Sequence, residues 1–202
     1  MIENIPLVFV EKTGQVIITN VENPSEVHGQ LVSHLEEISQ LDVISNDLGE
    51  KFNGKTEEYI PKVGEICAAE FAEYSQYFRG HILKINDNRT ADVQFIDYGN
   101  KASVSLTKIA PLPQEHSVVA KQAVRFALFP GISEIKWSND CIDDLKVCLL
   151  NKIANYSEIS NGAGIVVAEL EVDGEKINKI FSKHLPGLYH LDYLQLYFYI
   201  IV

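Results

Sequence analysis

The stretch Phe95-Ile96-Asp97-Tyr98-Gly99-Asn100 decides how the middle of the chain folds, since it joins a strand to residues typical of turns. Side chains two apart share a face of a strand, so Phe95 and Tyr98 would point to opposite faces of a straight one. A bulge or turn at Asp97 to Gly99 would bring both rings to one rim, and Gly99 is the residue that permits such a bend. We therefore predict a bend that gathers both rings at one edge of a small sheet.

Outward from this stretch, residues 63–112 contain short apolar runs separated by turn residues. The runs are GEICAAEF, YFRGHILKI, ADVQFIDYGN and KASVSL, and Asp87-Asn88-Arg89 supplies a further turn. Four or five strands of this length, with no helix between them, predict a small and strongly bent barrel. Pro111 and Pro113 close the segment.

The N-terminal flank combines strands with a helix. β-Branched residues in the range 7–22 predict two short strands about a turn at Lys12 to Gly14. Asn23, Pro24 and Ser25 would stop the second strand and supply capping chemistry for a helix. From Leu31 to Phe52, apolar residues recur every three or four positions with acidic residues between them, which predicts a long amphipathic helix.

The C-terminal flank returns to mixed structure. Alternation in residues 122–129 predicts a half-buried strand, and Ser138 is typical of a helix N-cap. Asn161-Gly162 predicts a hairpin between residues 153–159 and 164–172. Both flanks therefore belong to one unit into which the barrel is inserted, and the fold class is α+β, mainly β.

The acidic composition bears on the class of ligand. The chain has 202 residues, with 28 acidic and 17 basic side chains and a formal net charge of -11. Proteins that bind a phosphate backbone gain much of their affinity from basic side chains, so this balance disfavours nucleic acid. It favours cationic ligands such as arginine-rich peptides.

Several other classes of protein are not expected from the sequence. Cys67, Cys141 and Cys148 form no CxxC pair, so we expect neither a disulfide framework nor a structural zinc site. No window reaches the roughly 18 apolar residues of a membrane span, and we expect a soluble protein with no membrane association. No nucleophile triad or glycine-rich phosphate loop can be recognised, so we expect no enzyme, no cofactor and no small-molecule substrate.

Three motifs of the central segment resemble the Tudor family. They are Cys67-Ala68-Ala69-Glu70-Phe71, Tyr77-Phe78-Arg79-Gly80 and Phe95-Ile96-Asp97-Tyr98-Gly99-Asn100. The order of the flanking signals is similar to that of an extended Tudor domain. The resemblance implies a Tudor SH3-like barrel at residues 57–112, inserted into a staphylococcal-nuclease-like OB-fold half. That half would be built from residues 1–56 and 113–202 and joined to the barrel by the long helix.

The resemblance also implies a cage for methylated arginine. Four rings and one amide would form it, namely Phe71, Phe78, Phe95, Tyr98 and Asn100. Phe78 and Phe95 stand where some relatives have tyrosine, which removes a possible polar contact and not the cage. A methylated guanidinium keeps its charge, is planar and is weakly hydrated, so it stacks well between aromatic faces. Asp97 and Glu70 are candidates for contacts with the peptide.

The implied partner is a protein with symmetrically dimethylated arginine in Arg-Gly or Arg-Ala repeats. For extended Tudor domains of this kind, the partner is often the N-terminal tail of a PIWI-class Argonaute. The domain would then be an adaptor in small-RNA (piRNA) silencing of transposons. The resemblance implies a cytoplasmic location in perinuclear germ granules.

Other interpretations remain open at the level of sequence. Aromatic residues on the strands of a small barrel are often simply core. An OB fold can bind RNA by stacking bases on rings, and a scaffold could bind unmodified peptide. Asp140, Asp143 and Asp144 resemble the carboxylate cluster of a nuclease metal site. They fall in the first turns of a predicted helix, where the helix dipole favours carboxylates, so we expect no metal site.

Overall fold

The computed structural model of the chain describes residue 2 and residues 4–54, 59–129 and 136–185. The chain divides into two compact units. The first unit consists of Met1–Val8 and His34–Ala123, and the second of Phe9–Ser33 and Val124–Val202. Residues 186–202, which the sequence assigns to the nuclease-like half, lie outside the described residues.

Strands outnumber helices in the described ranges, which contain eleven strands and three α-helices. In chain order they are β1 (Thr13–Asn23), β2 (Glu26–Leu31), α1 (Leu35–Phe52), β3 (Ile66–Phe71), β4 (Gln76–Ile85), β5 (Thr90–Phe95), β6 (Lys101–Ser105), β7 (Ile109–Pro111), β8 (Val124–Ala127), α2 (Asn139–Leu149), β9 (Ile153–Gly162), β10 (Ile165–Val172), β11 (Glu175–Lys176) and α3 (Ile177–Phe181). None of the helices in these ranges is both long and apolar enough to span a bilayer. The predicted α+β, mainly β class is confirmed.

The first unit contains the predicted small barrel, which has five strands. Its strands follow the order β6-β5-β4-β3-β7, and every neighbouring pair is antiparallel. Gly80 explains part of the tight packing, because a Cβ at this position would lie only 2.4 Å from a methyl group of Val93. The barrel core is the buried cluster of Cys67, Ala69, Ile82, Ala91, Val93, Phe95, Val104, Leu106 and Ile109.

Helix α1 packs within the same unit as the barrel. Its apolar residues recur at helical spacing, and the buried ones are Leu41, Ile44, Leu48 and Phe52. They pack against Ile66, Tyr77 and Ile96 of the barrel segment. Burial of each such side chain stabilises the fold by roughly 1.5–3 kcal/mol. Together they hold the helix against the barrel segment.

The second unit is built on a closed ring of strands. Its sheet has the order β11-β10-β8-β2-β1-β9, and β10 also pairs with β9. Five strands therefore close on themselves, with β8 and β10 as the parallel pair among the described strands. The predicted N-cap of α2 is confirmed, because the Ser138 hydroxyl accepts a hydrogen bond from the Cys141 N–H.

The predicted hairpin about Lys12 to Gly14 is wrong. β1 runs unbroken from Thr13, and Gly14 lies opposite Tyr156 of β9. A Cβ on Gly14 would come within 3.0 Å of the Tyr156 ring, so this glycine makes room for a ring and does not turn the chain. The turn lies instead at Pro24-Ser25, where the Asn23 side chain accepts a hydrogen bond from the Ser25 N–H. The capping chemistry predicted there closes the β1–β2 hairpin.

Candidate functional site

The chain bends after β5 where the sequence predicts it. The N–H groups of Tyr98 and Gly99 both donate to the Phe95 carbonyl oxygen, at 3.3 and 2.7 Å. Gly99 has a φ of 87°, in the region that favours glycine. The Phe95 N–H in turn donates to the Asn100 carbonyl oxygen at 2.9 Å. This turn takes Tyr98 out of the strand's alternation and places its ring beside that of Phe78, with the centroids 5.5 Å apart.

Aromatic rings form a continuous row at this end of the barrel. The Phe95 centroid lies 5.3 Å from that of Phe71 and 6.1 Å from that of Phe78. Phe78 contacts Tyr98 at 5.5 Å, and Phe71 contacts Tyr74 at 5.6 Å. The interplanar angles lie between 71° and 85°, so each ring turns its edge toward the face of the next.

The row has a buried centre and open ends. Phe95 is 1% exposed and belongs to the barrel core, whereas Phe71, Phe78 and Tyr98 are half-buried. Tyr74, at the far end of the row, is 65% exposed. The structure thus brings the four predicted rings into one row, in which the buried Phe95 contacts Phe71 and Phe78, and Tyr98 contacts Phe78.

Strand pairing explains why Phe71 and Phe78 share one side. Phe71 lies opposite Gln76, so Phe78 is its diagonal neighbour two residues further along β4. Diagonal neighbours of this kind project from the same face of the sheet. Tyr77 points the other way and contacts the Phe52 ring of α1 at 5.9 Å. Successive residues of β4 therefore place Tyr77 against the helix and Phe78 in the row of rings.

A buried ion pair lies between the same two strand ends. The Arg79 Nε and Nη2 donate to the two carboxylate oxygens of Asp97, at 2.9 and 2.6 Å. The guanidinium also donates to the carbonyl oxygens of His116, Val119 and Ala120. Arg79 is 1% and Asp97 3% exposed. The pair links β4 to the turn after β5, which are the segments that carry Phe78 and Tyr98.

The two acids predicted to contact a peptide have partners inside the domain. The Asp97 carboxylate is buried and bonded to Arg79, and it also accepts the Gln122 N–H at 3.2 Å. A peptide cation therefore has no access to it, and Asp97 serves the fold. Glu70 forms an ion pair with Lys108, so it would have to exchange this lysine for a peptide cation.

Burial and nearby charges keep the Tyr98 phenol protonated. Burial raises the pKa of Tyr98 to about 12, and the nearby carboxylates of Asp97 and Asp42 add to the rise. Arg79 opposes it. Asp42 is an exposed residue of α1, so the helix contributes a solvent-accessible negative charge beside this ring. The Tyr98 phenol is therefore neutral at physiological pH, and the exposed Asp42 carboxylate lies near it.

The raised pKa of Tyr98 makes stability depend on alkaline pH. The neutral phenol stabilises the folded state below its ordinary pKa of 10.0, and this stabilisation is lost as pH rises from 10 toward about 12. We expect urea unfolding across this window to show a steeper loss of unfolding free energy in the wild type than in Tyr98→Phe, which cannot ionise. An equal loss of unfolding free energy in the two proteins would contradict the raised pKa of Tyr98.

Asn100 completes the predicted set. It follows Gly99 in the turn and is half-buried, and its backbone carbonyl is bonded to Phe95. Within the described part of the chain, no residue hydrogen-bonds to its side-chain amide. The amide oxygen is therefore available to a donor from a ligand.

Two residues of this site were missed by the sequence analysis. Tyr74 lies in the connection between Phe71 and Phe78, and an aromatic residue in so short a link was the available signal. Arg79 was quoted as part of a motif and given no role. Its place two residues from Tyr77 was the signal, since the two share a strand face and a charged residue on a face that carries a large ring needs a partner.

A small antiparallel barrel that gathers aromatic rings at one end defines a class of binding module. The family model described as "Tudor domain" matches residues 9–130, which is more than half of the chain. The chain belongs to the Tudor domain family. This family is non-enzymatic, in agreement with the expectation that the chain is not an enzyme.

Similar proteins carry the same family name. Tudor domain-containing protein 1 of Oryzias latipes is 25% identical over 169 residues, which cover 82% of this chain and 14% of that protein. Protein tudor of Drosophila melanogaster is 35% identical over 120 residues, which cover 59% of this chain and 4% of that protein. The chain therefore spans a small part of the length of these relatives.

Solved structures share the fold. The extended Tudor domain TD3 of mouse TDRD1, in complex with a MILI peptide containing dimethylarginine 45, aligns with a TM-score of 0.78 at 16% identity, covering 89% of this chain and 95% of that one. The human TDRD1 extended Tudor domain, in complex with a symmetrically dimethylated peptide, aligns with a TM-score of 0.75 at 20% identity, covering 90% and 93%. The predicted extended Tudor fold is confirmed.

Proposed function

We propose that this domain is a methylarginine reader that binds symmetrically dimethylated arginine in Arg-Gly or Arg-Ala peptides. The row of rings carries the proposal, because Phe71 and Phe78 flank the buried Phe95 and Tyr98 continues the row beside Phe78. A planar, weakly hydrated cation gains about 0.5–2 kcal/mol from each aromatic face it meets. Several faces acting together give a useful affinity.

Asn100 supplies orientation. Methylation enlarges the apolar rim of the guanidinium and leaves N–H donors on it. The Asn100 amide oxygen accepts one of these donors, which selects the orientation of the group without a salt bridge. The rings then recognise the methyl groups, and the amide recognises the nitrogen.

Charge favours an arginine-rich partner. The chain carries a formal net charge of -11, and the exposed Asp42 adds negative charge near Tyr98. Such a field accelerates the encounter with basic segments. The solved domains with a similar fold include complexes with dimethylarginine peptides, which agrees with this ligand class.

The proposal extends to a biological partner. We propose that the methylated protein is a PIWI-class Argonaute, bound through its N-terminal tail, and that the domain acts as an adaptor in piRNA silencing within perinuclear germ granules of the cytoplasm. Support for a methylated protein partner comes from solved domains of similar fold, which are complexes with a MILI peptide containing dimethylarginine and with Aubergine. Recovery of a PIWI-class Argonaute tail by the immobilised domain, with methylation required, is the expected result. Equal recovery of the unmethylated tail would contradict it.

Peptide titration provides the direct test of methylarginine reading. By calorimetry, wild type should bind a symmetrically dimethylated Arg-Gly peptide more tightly than the unmodified one. Tyr98→Ala should weaken the methylated complex by a factor of ten or more, about 1.4 kcal/mol, and should change the unmodified complex little. The control is Val118→Ala in the same unit, whose side chain is 80% exposed. Equal wild-type affinity for both peptides would overturn the proposal, and binding to single-stranded RNA alone would favour the OB-fold alternative.

A further inference from the structure

Tyr74 lies on an ordered turn beside the cage rings. The connection from β3 to β4 is held by the Tyr74 N–H, which donates to the Phe71 carbonyl oxygen at 3.2 Å. The Ser75 N–H donates to the Ala72 carbonyl oxygen at 3.3 Å, and Ser75 has a φ of 53°. These bonds give the turn a defined shape, so the Tyr74 ring has a defined place.

The Tyr74 ring continues the row and leaves most of its surface in solvent. It meets Phe71 edge to face at 5.6 Å and 71°. At 65% exposure, the ring buries little area against the protein, although burial of an aromatic ring normally stabilises a fold. Core packing therefore does not account for a ring in this position, whereas a ligand that covers it would.

The row of rings is continuous from the β3–β4 turn to the bend after β5. It runs Tyr74, Phe71, Phe95, Phe78 and Tyr98. Tyr74 stands beside Phe71 at one end, and Tyr98 stands beside Phe78 at the other. Tyr74 therefore adds an exposed ring to the four that were predicted, next to Phe71.

We propose that Tyr74 is a fifth ring of the cage, which covers the methylated guanidinium from the side of Phe71. This inference rests on the proposed function and adds a specificity-determining residue to it. A ring on this side removes water from the cation, and cation–π contacts strengthen when the cation is desolvated. The methyl groups gain an apolar contact that an unmodified guanidinium, which is better hydrated, uses less well.

Three variants test the role of Tyr74 with the methylated and unmodified Arg-Gly peptides. Tyr74→Ala should raise the Kd for the methylated peptide about threefold to tenfold and raise that for the unmodified peptide less than twofold. Tyr74→Phe keeps the ring and should stay within about twofold of wild type for both peptides. Glu73→Gln alters the neighbouring exposed residue of the same turn and should leave the ratio of the two affinities unchanged.

The outcomes separate this inference from the proposed function. If wild type prefers the methylated peptide and Tyr74→Ala keeps that preference undiminished, Tyr74 is not part of the cage while the reader function stands. If wild type shows no preference, both fail. A second measurement needs no variant: the aromatic proton resonances of Tyr74 in the wild-type protein should shift on adding the methylated peptide. Shifts of the same size with the unmodified peptide would overturn the inference.

Discussion

Replacing Arg79 by alanine should lower the free energy of unfolding by about 3–5 kcal/mol, because it leaves Asp97 as a buried carboxylate without its counter-ion. Arg79 is 1% exposed and donates to both oxygens of Asp97. Its loss also removes the donor from the carbonyl groups of His116, Val119 and Ala120. Urea denaturation followed by circular dichroism measures the change.

Control variants separate the ion pair from general damage to β4. Lys84→Ala removes an exposed basic residue of the same strand and should stay within roughly 0.5 kcal/mol of wild type. Arg79→Lys keeps the charge but lacks the planar fork that meets a carboxylate at two points, so its loss should be intermediate. A loss below about 1 kcal/mol for Arg79→Ala would show that Asp97 finds other compensation.

Replacing Asn178 by alanine should cost about 3 kcal/mol or more, because three backbone groups of the second unit lose their partner. Asn178 is fully buried on α3. Its amide nitrogen donates to the carbonyl oxygens of Leu128 and Ala168, and its amide oxygen accepts the Leu170 N–H at 2.9 Å. One side chain thus satisfies groups on β10 and just beyond β8, and chemical denaturation should show a lower midpoint.

Two comparisons sharpen the test at Asn178. Lys179→Ala alters the next, exposed residue of α3 and should have little effect. Asn178→Asp keeps an acceptor for Leu170 but places a charge where two carbonyl oxygens require donors. We expect it to be at least as destabilising as alanine. An unchanged midpoint for Asn178→Ala would mean that the three backbone groups regain partners by other means.

Local chemistry made much of the barrel predictable. Asp87-Asn88-Arg89 lies between β4 and β5, where a turn was expected, and Arg89 has a φ of 61°. Gly99 bends the chain after β5, and Ser138 caps α2. Each of these features depends on interactions within a few residues, which a sequence displays directly.

Other parts of the fold could not be predicted, because the register of strand pairing determines them. The hairpin near Asn161-Gly162 exists, but its two-residue loop is Ala163-Gly164, with φ values of 51° and 76°. Asn161 and Gly162 pair with β10 instead. Alternate residues of β10 are buried, so pairing across the sheet sets the register and overrides the better turn dipeptide. Gly14 was misread for the same reason, since its partner Tyr156 is remote in sequence.

The candidate site also combines features that the local sequence predicts with features that only the folded chain shows. Family-like motifs pointed to the rings and to Asn100, and the turn at Gly99 followed from strand parity. The role of Arg79 did not follow, because its carbonyl partners lie 37 to 41 positions away. The burial of Phe95 did not follow either, because it is a property of the assembled barrel core. Asp97 was predicted to contact a peptide because a sequence shows that a residue is charged but not that it is buried.

The pairing of β2 with β8 constrains the order in which a nascent chain can fold. Val27 pairs with Phe126, so the second unit needs a contact across everything from His34 to Ala123. The barrel strands β3 to β7 pair within residues 66–111 and can form earlier, since short loops close at a smaller entropic cost. Until Val124 leaves the ribosome, β2 presents an unsatisfied edge that other chains can join. During that interval the domain is most exposed to aggregation.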